Sequence, residues 1–343
     1  MIKIVYRLKR KFYKLIWNQE KYYSWEENEG FRKIVVQKHY PLCSGKSNTN
    51  SYPQVLISMF NGFERHGGLA DRFRGVISSF YFAKKHNLKF AIYWNSPFRL
   101  EDYLVPNRYN WKISEDAISY YRPYACPIHI GSFYKRLGLS KEEEEIFQEK
   151  YLISSILKDN HSTQFHVYSN AHFGDGEYHD LFQELFKPST RLQKMIDDNV
   201  QKIGRNFLAV SFRFLQLLGD FKDECGGASL DANDKKTYIK ECVEAIEALH
   251  KNNETVKVLV TSDSELFLSR LHDLSYVYII PGKISHTDGT SNVALSYDKE
   301  FLDLFVLSKA KVIYRIHKDK MHYSGFPITA GMIGGVEVID IEL

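Results

Sequence analysis

The sequence predicts an α/β protein of two domains. Its 343 residues exceed the usual size of one domain, and a hydrophobic content of 44% is enough to fill two cores. Between Val55 and Trp94, an apolar run, a glycine loop, an amphipathic run and a second apolar run follow one another, which is the pattern of a βαβ unit. From Phe207 onward, short apolar runs alternate with amphipathic ones, and this alternation is typical of a doubly wound parallel sheet.

The first seventeen residues have the pattern of a basic amphipathic helix. They contain no acid and carry +6, which leaves −2 on the rest of a chain whose net charge is +4. A basic face opposite an aliphatic and aromatic face predicts a helix that lies in an anionic membrane surface. The alternative is a helix packed on the protein's own body, or a frayed terminus. Charges interrupt every apolar run, so we expect neither a signal peptide nor a spanning helix of roughly 20 apolar residues. The basic residues are Lys3, Arg7, Lys9, Arg10, Lys11 and Lys14.

Cysteine and histidine usage gives no support to a metal site. The thirteen histidines contain no His-x-x-x-His pattern, and the cysteines form neither a Cys-x-x-Cys pair nor a cluster at zinc spacing. This usage favours a reducing compartment, so we expect a cytoplasmic protein, peripheral on the inner face of the cell membrane if residues 1–17 bind lipid. The acidic body and the absence of a recognition motif argue against nucleic-acid binding. The cysteines are Cys43, Cys126, Cys225 and Cys242.

The glycine loop of the first βαβ unit is a candidate ligand site. His66, Gly67 and Gly68 join a strand predicted from Val55 to Met59 to a helix predicted from Leu69 to about His86. Adjacent glycines allow the backbone to approach a ligand closely, and the start of the helix offers free N–H groups and the positive end of its dipole. A phosphate, a carboxylate or a sugar would fit there. The alternative is a tight turn that binds nothing.

A junction near Pro188 divides the chain. Residues 18–187 are assigned to an N-terminal α/β domain and residues 188–343 to a C-terminal one, after the basic helix of residues 1–17. Within the first domain, Leu100 to Ser132 is poor in clear periodicity, and an acidic helical segment that starts near Ser140 follows it. The acid run of that segment is expected to be a solvated helix N-terminus and not a metal site. The wider region from Leu100 to Lys187 has no pattern that can be interpreted chemically. Ser189 or Thr190 marks the start of a helix that continues to Gly204.

Polar side chains follow the predicted strands of the second domain. Ligands of parallel α/β sheets bind beyond the carboxyl ends of the strands, so these side chains are candidates for a site. The predicted strands are 207–212, 256–261, 276–280, 311–316 and 336–341, and the predicted helices are 235–251, 264–274, 299–309 and 326–333. The candidate side chains are Arg213, the loop acids Asp220, Asp223 and Glu224, then Thr261, Ser262 and Asp263, and finally Ser324, Gly325 and Phe326.

Arg213 is the central residue of this rim. A guanidinium can clamp a diphosphate through paired N–H bonds and stabilise the negative charge that develops on a leaving group. The alternative is a structural ion pair with one of the nearby acids. No Gly-x-Gly-x-x-Gly, Walker or Gly-x-Ser-x-Gly motif is present, which disfavours nicotinamide enzymes, P-loop kinases and α/β hydrolases.

Three stretches of the chain resemble the GDP-fucose-dependent fucosyltransferases of the GT-B superfamily, which include bacterial α-1,2-, nodulation-type α-1,6- and protein-O-fucosyltransferases. The loop His66 to Arg72 with its helix resembles the family's N-terminal glycine motif. Val210 to Arg213 resembles its His-x-Arg motif, and Phe301 to Phe326 its C-terminal motif, with Thr261-Ser262-Asp263 between them. The resemblance covers roughly residues 54 to 343, with a poorly matched middle.

The resemblance implies two Rossmann-like domains that face each other across a cleft, and inverting transfer of fucose from GDP-fucose without a metal or other cofactor. The C-terminal half would bind the donor and the N-terminal half the acceptor. Arg213 would contact the β-phosphate, and Asp220 or Asp71 would be the base. The chain departs from the family at Ser211, Phe214 and Gln216. The residues expected at the donor are His66, Gly67, Gly68, Arg213, Thr261, Ser262, Asp263, Ser324, Gly325 and Phe326.

Three functional hypotheses follow. The first is a fucosyltransferase on the cytoplasmic membrane face that builds surface polysaccharide on a glycan acceptor, either free or lipid-linked. The second is a glycosyltransferase of the same fold that uses another nucleotide sugar, which the changes between Ser211 and Gln216 permit. The third is a catalytically silent, carbohydrate-binding relative.

Overall fold

The structure is a computed structural model, and it describes residues 11–14, 28–42, 54–122, 124–131, 139–158, 162–173, 177–221, 228–252, 256–287 and 296–343. The described chain divides into two compact units. The first takes residues through Gly67, then Asp71–Arg99 and Arg108–Glu177, and the second takes Gly68–Ala70, Leu100–Asn107 and Tyr178–Leu343. Of the basic helix predicted for residues 1–17, only residues 11–14 are described, and these are helical.

Eleven strands and eight helices make up the regular structure of the described residues. The strands are β1 (Val55–Phe60), β2 (Lys89–Trp94), β3 (Leu104–Pro106), β4 (Ala125–Ile130), β5 (Gln164–Ser169), β6 (Phe186–Pro188), β7 (Phe207–Phe212), β8 (Lys257–Ser262), β9 (Val277–Tyr278), β10 (Ile313–His317) and β11 (Val338–Glu342). The helices are α1 (Leu69–Lys85), α2 (Lys141–Lys158), α3 (Tyr178–Leu185), α4 (Thr190–Ile203), α5 (Ala232–Lys251), α6 (Glu265–Ser269), α7 (Asp298–Leu307) and α8 (Phe326–Gly334). Single turns of π-helix at Arg32–Val36 and of α-helix at Gln37–His39 precede β1, and 3₁₀ turns lie at Leu100–Asp102 and Glu115–Ala117.

The first unit is built on a four-stranded parallel sheet with the strand order β2-β1-β5-β4. Helix α1 crosses from β1 to β2, so the predicted βαβ unit is present. Gly75 lets α1 approach the sheet closely: a Cβ at this position would lie 1.9 Å from the Ser169 carbonyl oxygen. Only glycine fits there without moving the helix. The Ser78 hydroxyl, one turn further on, accepts a hydrogen bond from the Phe173 backbone N–H at 3.0 Å.

A buried chain of polar side chains lies within the first unit, where Tyr40 packs among Ile57, Met59 and other residues of one hydrophobic cluster. Asn61 donates to the Tyr168 hydroxyl, which lies 2.9 Å from the Tyr40 hydroxyl. Tyr40 in turn lies 2.7 Å from His166 Nδ1. Burial lowers the pKa of His166 to about 3, so this imidazole is neutral at physiological pH. The linked groups satisfy one another, which is what permits their burial.

The second unit is built on a five-stranded parallel sheet with the strand order β11-β10-β7-β8-β9. All six residues of β7 are buried, because this central strand is covered on both faces. The short strands β3 and β6 of this unit pair antiparallel and form a separate two-stranded sheet. The ring of Tyr103, just before β3, stacks on Phe301 of α7 at 4.1 Å.

Several helix termini are closed by side chains or glycine. Ser189 accepts a hydrogen bond from the Leu192 backbone N–H at the start of α4, as its sequence predicts. Asp231 does the same for α5, and Gly335, with a φ of +64°, ends α8. At the start of α2, Ser140 and Glu143 form a reciprocal capping box. The acid run is not wholly solvated, since Glu144 is buried against Gln148.

The predicted elements of the second half are confirmed with small shifts. The helix predicted at 264–274 ends at Ser269, because Leu271 and Leu274 bond to carbonyls three residues back instead of four. Strand β4 lies in the segment in which the sequence shows no clear periodicity, and β5 and α3 lie further on, in the region before Lys187 for which the sequence predicts neither element. Among the described residues no helix is both long and apolar enough to cross a bilayer.

Candidate functional site

Arg213 directly follows β7 in the second unit, and three neighbours hold its guanidinium. Nη1 lies 3.3 Å from the Asp263 carboxylate, and Nη2 lies 3.2 Å from His286 Nε2. The guanidinium carbon also lies 4.9 Å from the centre of the Phe221 ring. The side chain is mostly buried, with 14% of its surface exposed. The guanidinium is therefore fixed in position, and its ion pair with Asp263 is the structural role that the sequence left open.

Asp263 is a buried organiser of the turn after β7. Its two carboxylate oxygens accept hydrogen bonds from the backbone N–H groups of Phe214 and Leu215, both at 2.8 Å. Leu215 has a φ of +53°, so the turn adopts a left-handed conformation that this carboxylate stabilises. Burial raises the pKa of the Asp263 carboxyl, and the Arg213 guanidinium and the backbone N–H groups counteract part of that rise. Asp263 thus positions Arg213 and has its oxygens already occupied.

His286 is the member of this group that the sequence did not single out. It belongs to the segment after β9, and its neighbour Thr287 is anchored to α7 by a 2.8 Å hydrogen bond to Glu300. Gly68, which groups with the second unit, lies against the imidazole: a Cβ on Gly68 would lie 3.4 Å from the His286 ring. No motif or spacing in the sequence marks this histidine, because the contact joins residues 73 positions apart.

Asp220 has a capping role. Its carboxylate accepts hydrogen bonds from the Ser264 hydroxyl at 2.9 Å and from the Leu266 backbone N–H at 2.7 Å. Ser264 in turn caps α6 by accepting from the Phe267 backbone N–H. Ser262 accepts from the backbone N–H of Ser264 and belongs to the same turn. The other loop acids, Asp223 and Glu224, lie outside the described residues.

A row of polar residues crosses the sheet near the carboxyl ends of β7, β8 and β10. The register places Ser211 of β7 between Thr261 of β8 and Arg315 of β10. The Thr261 hydroxyl is buried and has no hydrogen-bond partner in the described part of the chain. Arg315 makes a two-pronged ion pair with Asp340 of β11, at 2.6 Å for each nitrogen. A charged residue inside an apolar strand is the sequence signal that would have identified Arg315.

The start of α8 holds the last predicted group. The Ser324 hydroxyl accepts from the Phe326 backbone N–H at 3.2 Å, and the Ser324 carbonyl accepts from Arg315 Nη1 at 3.0 Å. A Cβ on Gly325 would meet nothing within 4 Å, so the space beside this turn is open. The backbone also joins this loop to the first strand end, since the His322 N–H donates to the Arg213 carbonyl at 3.1 Å.

The glycine loop of the first unit is held by hydrogen bonds with two buried side chains, His66 and Arg72. His66 is buried, and its Nε2 accepts a hydrogen bond from the Gly62 backbone N–H at 3.1 Å. Burial, reinforced by Arg72 and His129, lowers the pKa of His66 to about 3, so the ring is neutral. Arg72 is buried as well and donates to the carbonyls of Gly67 and Ser96. His66 and Arg72 therefore shape the loop from within.

Gly67 and Asp71 are the more accessible members of this loop. Gly67 has a φ of +69°, which disfavours a side chain at this position. Asp71, in the first turn of α1, forms an ion pair with Arg74 and keeps 41% of its side-chain surface exposed. Among the described residues of the chain, no group of three or more histidine, cysteine or acidic side chains is arranged to hold a metal ion.

The predicted site residues therefore fall into two sets. The second unit brings together Arg213 and Asp263, together with the unpredicted His286, and places Asp220 and Ser262 at the neighbouring cap of α6. Ser324, Gly325 and Phe326 join them through the loop bonded to Arg213. His66, Gly67 and Asp71 belong to the first unit.

Comparison with known proteins gives matches in structure only. No family model matches the sequence, and no curated protein matches it. A crystal structure of the α-1,6-fucosyltransferase NodZ soaked with GDP-fucose is similar with a TM-score of 0.50 at 14% identity, over 82% of this chain and 92% of that one. A crystal structure of fucosyltransferase NodZ from Bradyrhizobium is similar with a TM-score of 0.53 at 13% identity, over 85% of this chain and 96% of that one. At this level of identity the similarity establishes the fold, and it confirms the GT-B class that the sequence resemblance implied.

Proposed function

We propose that this chain is a glycosyltransferase that transfers fucose from GDP-fucose to a glycan acceptor. The observation that carries the proposal is the guanidinium of Arg213, which is held at the carboxyl end of the central strand of a parallel sheet. The shared fold supports it, because NodZ is described as a fucosyltransferase and its crystals were soaked with GDP-fucose or grown with GDP.

The chemistry requires charge stabilisation on the departing diphosphate. An acceptor oxygen would attack C1 of the sugar from the face opposite the diphosphate, and the C1–O bond would break with its electron pair passing to the β-phosphate oxygen. In this inverting displacement Arg213 would bind that oxygen, and backbone N–H groups near Ser324 to Phe326 would add to its charge stabilisation. The Arg213 guanidinium needs little reorganisation for this task, because Asp263 and His286 already orient it.

The acceptor proton must pass to a base, and Asp71 is the better candidate. The one Ser264 hydroxyl donates to the Asp220 carboxylate, at 2.9 Å from one oxygen and 3.1 Å from the other, and the nearer oxygen also accepts from the Leu266 N–H. Asp220 would therefore have to give up its cap to take a proton. Asp71 has a single described ion pair and keeps 41% of its side-chain surface exposed. Asp71→Asn should reduce turnover and leave GDP affinity near wild type, whereas Asp220→Asn should chiefly lower the melting temperature. Loss of turnover in Asp220→Asn alone would reverse this assignment.

Nucleotide selectivity tests the donor. Thermal-shift measurements on the full chain would use GDP, GDP-fucose, UDP and CDP, since a ligand at one hundred times its Kd stabilises the protein by about 2.7 kcal/mol. We expect stabilisation by GDP and GDP-fucose only. A response to UDP or CDP instead would favour a different nucleotide sugar, an option that the changes between Ser211 and Gln216 permit. No response to any nucleotide would favour a silent relative.

The setting of the reaction is a further part of the proposal. We propose that residues 1–17 attach the protein to the cytoplasmic membrane face, where it would act on a glycan acceptor, either free or lipid-linked, in surface polysaccharide synthesis. The support is the charge pattern of that segment. Flotation with liposomes that contain anionic lipid should carry the full chain upward, and deletion of residues 1–17 should abolish this. Equal flotation of both forms would contradict the membrane role.

A further inference from the structure

An open pocket of about 500 Å³ lies on the first unit, and none of its lining residues was singled out from the sequence. Its walls come from the turn before β1, from the loop after β1 and from the segment that precedes β4. The side chains that matter for its chemistry are His39, Phe63, Asp116, Ser119, Tyr120 and Tyr121. Its volume is within the usual range for small-molecule sites.

The aromatic walls of this pocket are preformed. The His39 ring stacks face to face on Phe63, with ring centres 3.8 Å apart and planes 12° apart. Phe63 packs against Tyr120 at 5.4 Å, and the Tyr120 hydroxyl is 3.4 Å from Asn61 Nδ2, which also donates to the buried Tyr168. The walls are thus tied to the buried polar chain of the first unit, so a ligand would find them already ordered.

The rim of the pocket offers both donors and acceptors. The Ser119 hydroxyl oxygen accepts from the Tyr121 backbone N–H at 3.4 Å, which leaves its own O–H free to donate. The Tyr121 side chain is 54% exposed, and its hydroxyl has no partner among the described residues. Asp116 is exposed and adds a carboxylate acceptor. Among the described residues that line the pocket there is no lysine or arginine, so that part of the wall offers a phosphate or other anion no permanent positive charge.

We propose that this pocket binds one ring of a neutral saccharide. A pyranose has apolar C–H faces that pack on aromatic rings, and hydroxyls that need donors and acceptors at the ring edge; the pocket supplies both. An organic cation would contact the aromatic rings and Asp116, but it would accept no hydrogen bond from the hydroxyls of Ser119 and Tyr121. This inference goes beyond the proposed transfer reaction, because it assigns a second ligand site that is independent of Arg213.

Saturation-transfer NMR on the full chain tests the proposal. The probes are the methyl glycosides of glucose, galactose, mannose, fucose and N-acetylglucosamine, each measured in the presence of saturating GDP. We expect at least one glycoside to receive saturation from the aromatic resonances. The variant Tyr121→Ala should weaken its binding at least tenfold, which is about 1.4 kcal/mol, and Asp116→Ala should weaken it as well. Leu157→Ala and Asp197→Ala, which change exposed residues elsewhere, are the matched controls.

The outcomes separate this inference from the proposed function. Loss of glycoside binding in Tyr121→Ala, with an unchanged melting temperature and an unchanged thermal shift with GDP, supports the pocket. Glycoside binding that survives both pocket variants overturns the proposal. An organic cation, choline, is measured in the same way, and saturation transfer to choline with none to any glycoside also overturns it. Absence of a thermal shift with GDP in the wild type would contradict the proposed donor. The glycoside measurements would still decide whether the pocket binds a saccharide.

Discussion

Arg213 differs from an ordinary surface arginine because its guanidinium is already fixed. A flexible arginine loses side-chain entropy when it binds a phosphate, whereas this one is held by Asp263, His286 and Phe221 before any ligand arrives. We therefore expect Arg213→Ala to lower transfer by roughly 100-fold or more. The measurement is the initial rate of fucose transfer from GDP-fucose under saturating acceptor.

Two controls make the Arg213 result specific. Arg205→Ala removes an exposed arginine just before the same strand and should leave the rate unchanged. Arg213→Ala should still fold, because Asp263 keeps its two backbone hydrogen bonds, but it should melt at a lower temperature because the buried carboxylate loses its ion pair. The rate is therefore measured well below the melting temperature of the variant. An unchanged transfer rate in a folded Arg213→Ala protein would refute the role assigned to Arg213.

His286 should act as a positioning residue for that guanidinium. Its Nε2 lies 3.2 Å from Arg213 Nη2, and loss of one hydrogen bond to a charged group costs about 1.5–3 kcal/mol. We expect His286→Ala to raise the KM for GDP-fucose about tenfold or more with a smaller change in kcat. His286→Gln keeps an acceptor and should restore part of the loss. If both variants lower only the melting temperature, His286 has a purely structural role.

These residues also show how far a sequence can predict a site. Arg213 was predictable, since it directly follows an apolar run of strand length. The engagement of Asp263 and Asp220 by backbone N–H groups was not, because it depends on the path of the turn after β7 and on where α6 begins. His286 reaches Arg213 only through tertiary structure.

Among the elements, α1 depends on one glycine for its distance from the sheet. A Cβ at Gly75 would lie 1.9 Å from the Ser169 carbonyl oxygen and 2.7 Å from its carbon, both backbone atoms that cannot turn aside. We expect Gly75→Ala to destabilise the first unit by roughly 1–3 kcal/mol or more. Gly30→Ala is the matched control, since its Cβ would meet nothing within 4 Å and alanine favours a helix. Equal melting temperatures for the two variants would show that α1 shifts freely.

The elements differ in how clearly their sequences predict them. β7 is central and buried throughout, so it reads as a continuous apolar run. β4 is an edge strand that tolerates Pro127, and β5 carries His166 and Tyr168 inward toward the buried polar chain. Pro127 and His129 interrupt the apolar run of β4, and β5 looks polar in sequence, although both belong to the sheet. Their hydrophobic pattern is hidden by side chains that find partners only after folding.

At the scale of the whole molecule, the tryptophans distinguish the two units. All four occur before residue 112, and the two that are described, Trp94 and Trp111, are buried in the first unit. The neutral histidines His66 and His166 belong to the same unit. Tryptophan fluorescence therefore reports the unfolding of the unit that contains both histidines, and the second unit does not contribute to that signal.

The pH dependence of that unfolding follows from the two imidazoles. Each imidazole has a pKa near 3 in the folded chain, against an ordinary value of 6.5. Below about pH 6.5 these two side chains therefore bind protons in the unfolded chain but not in the folded chain. The free energy of unfolding therefore has its full value above this pH, and it decreases as the pH drops from 6.5 towards 3. Between pH 7 and 5 the loss should approach roughly 2 kcal/mol per histidine, before most carboxylates titrate.

Urea unfolding followed by tryptophan fluorescence at pH 7 and pH 5 measures this loss. The variant His166→Gln removes one of the two imidazoles and should halve the difference between the two pH values, because His66 continues to contribute. His272→Gln changes an exposed histidine and should keep the full difference. If the wild type and His166→Gln lose the same stability between pH 7 and 5, the fold does not keep the buried imidazole of His166 neutral. The buried polar chain around Tyr40 would then contain a protonated His166.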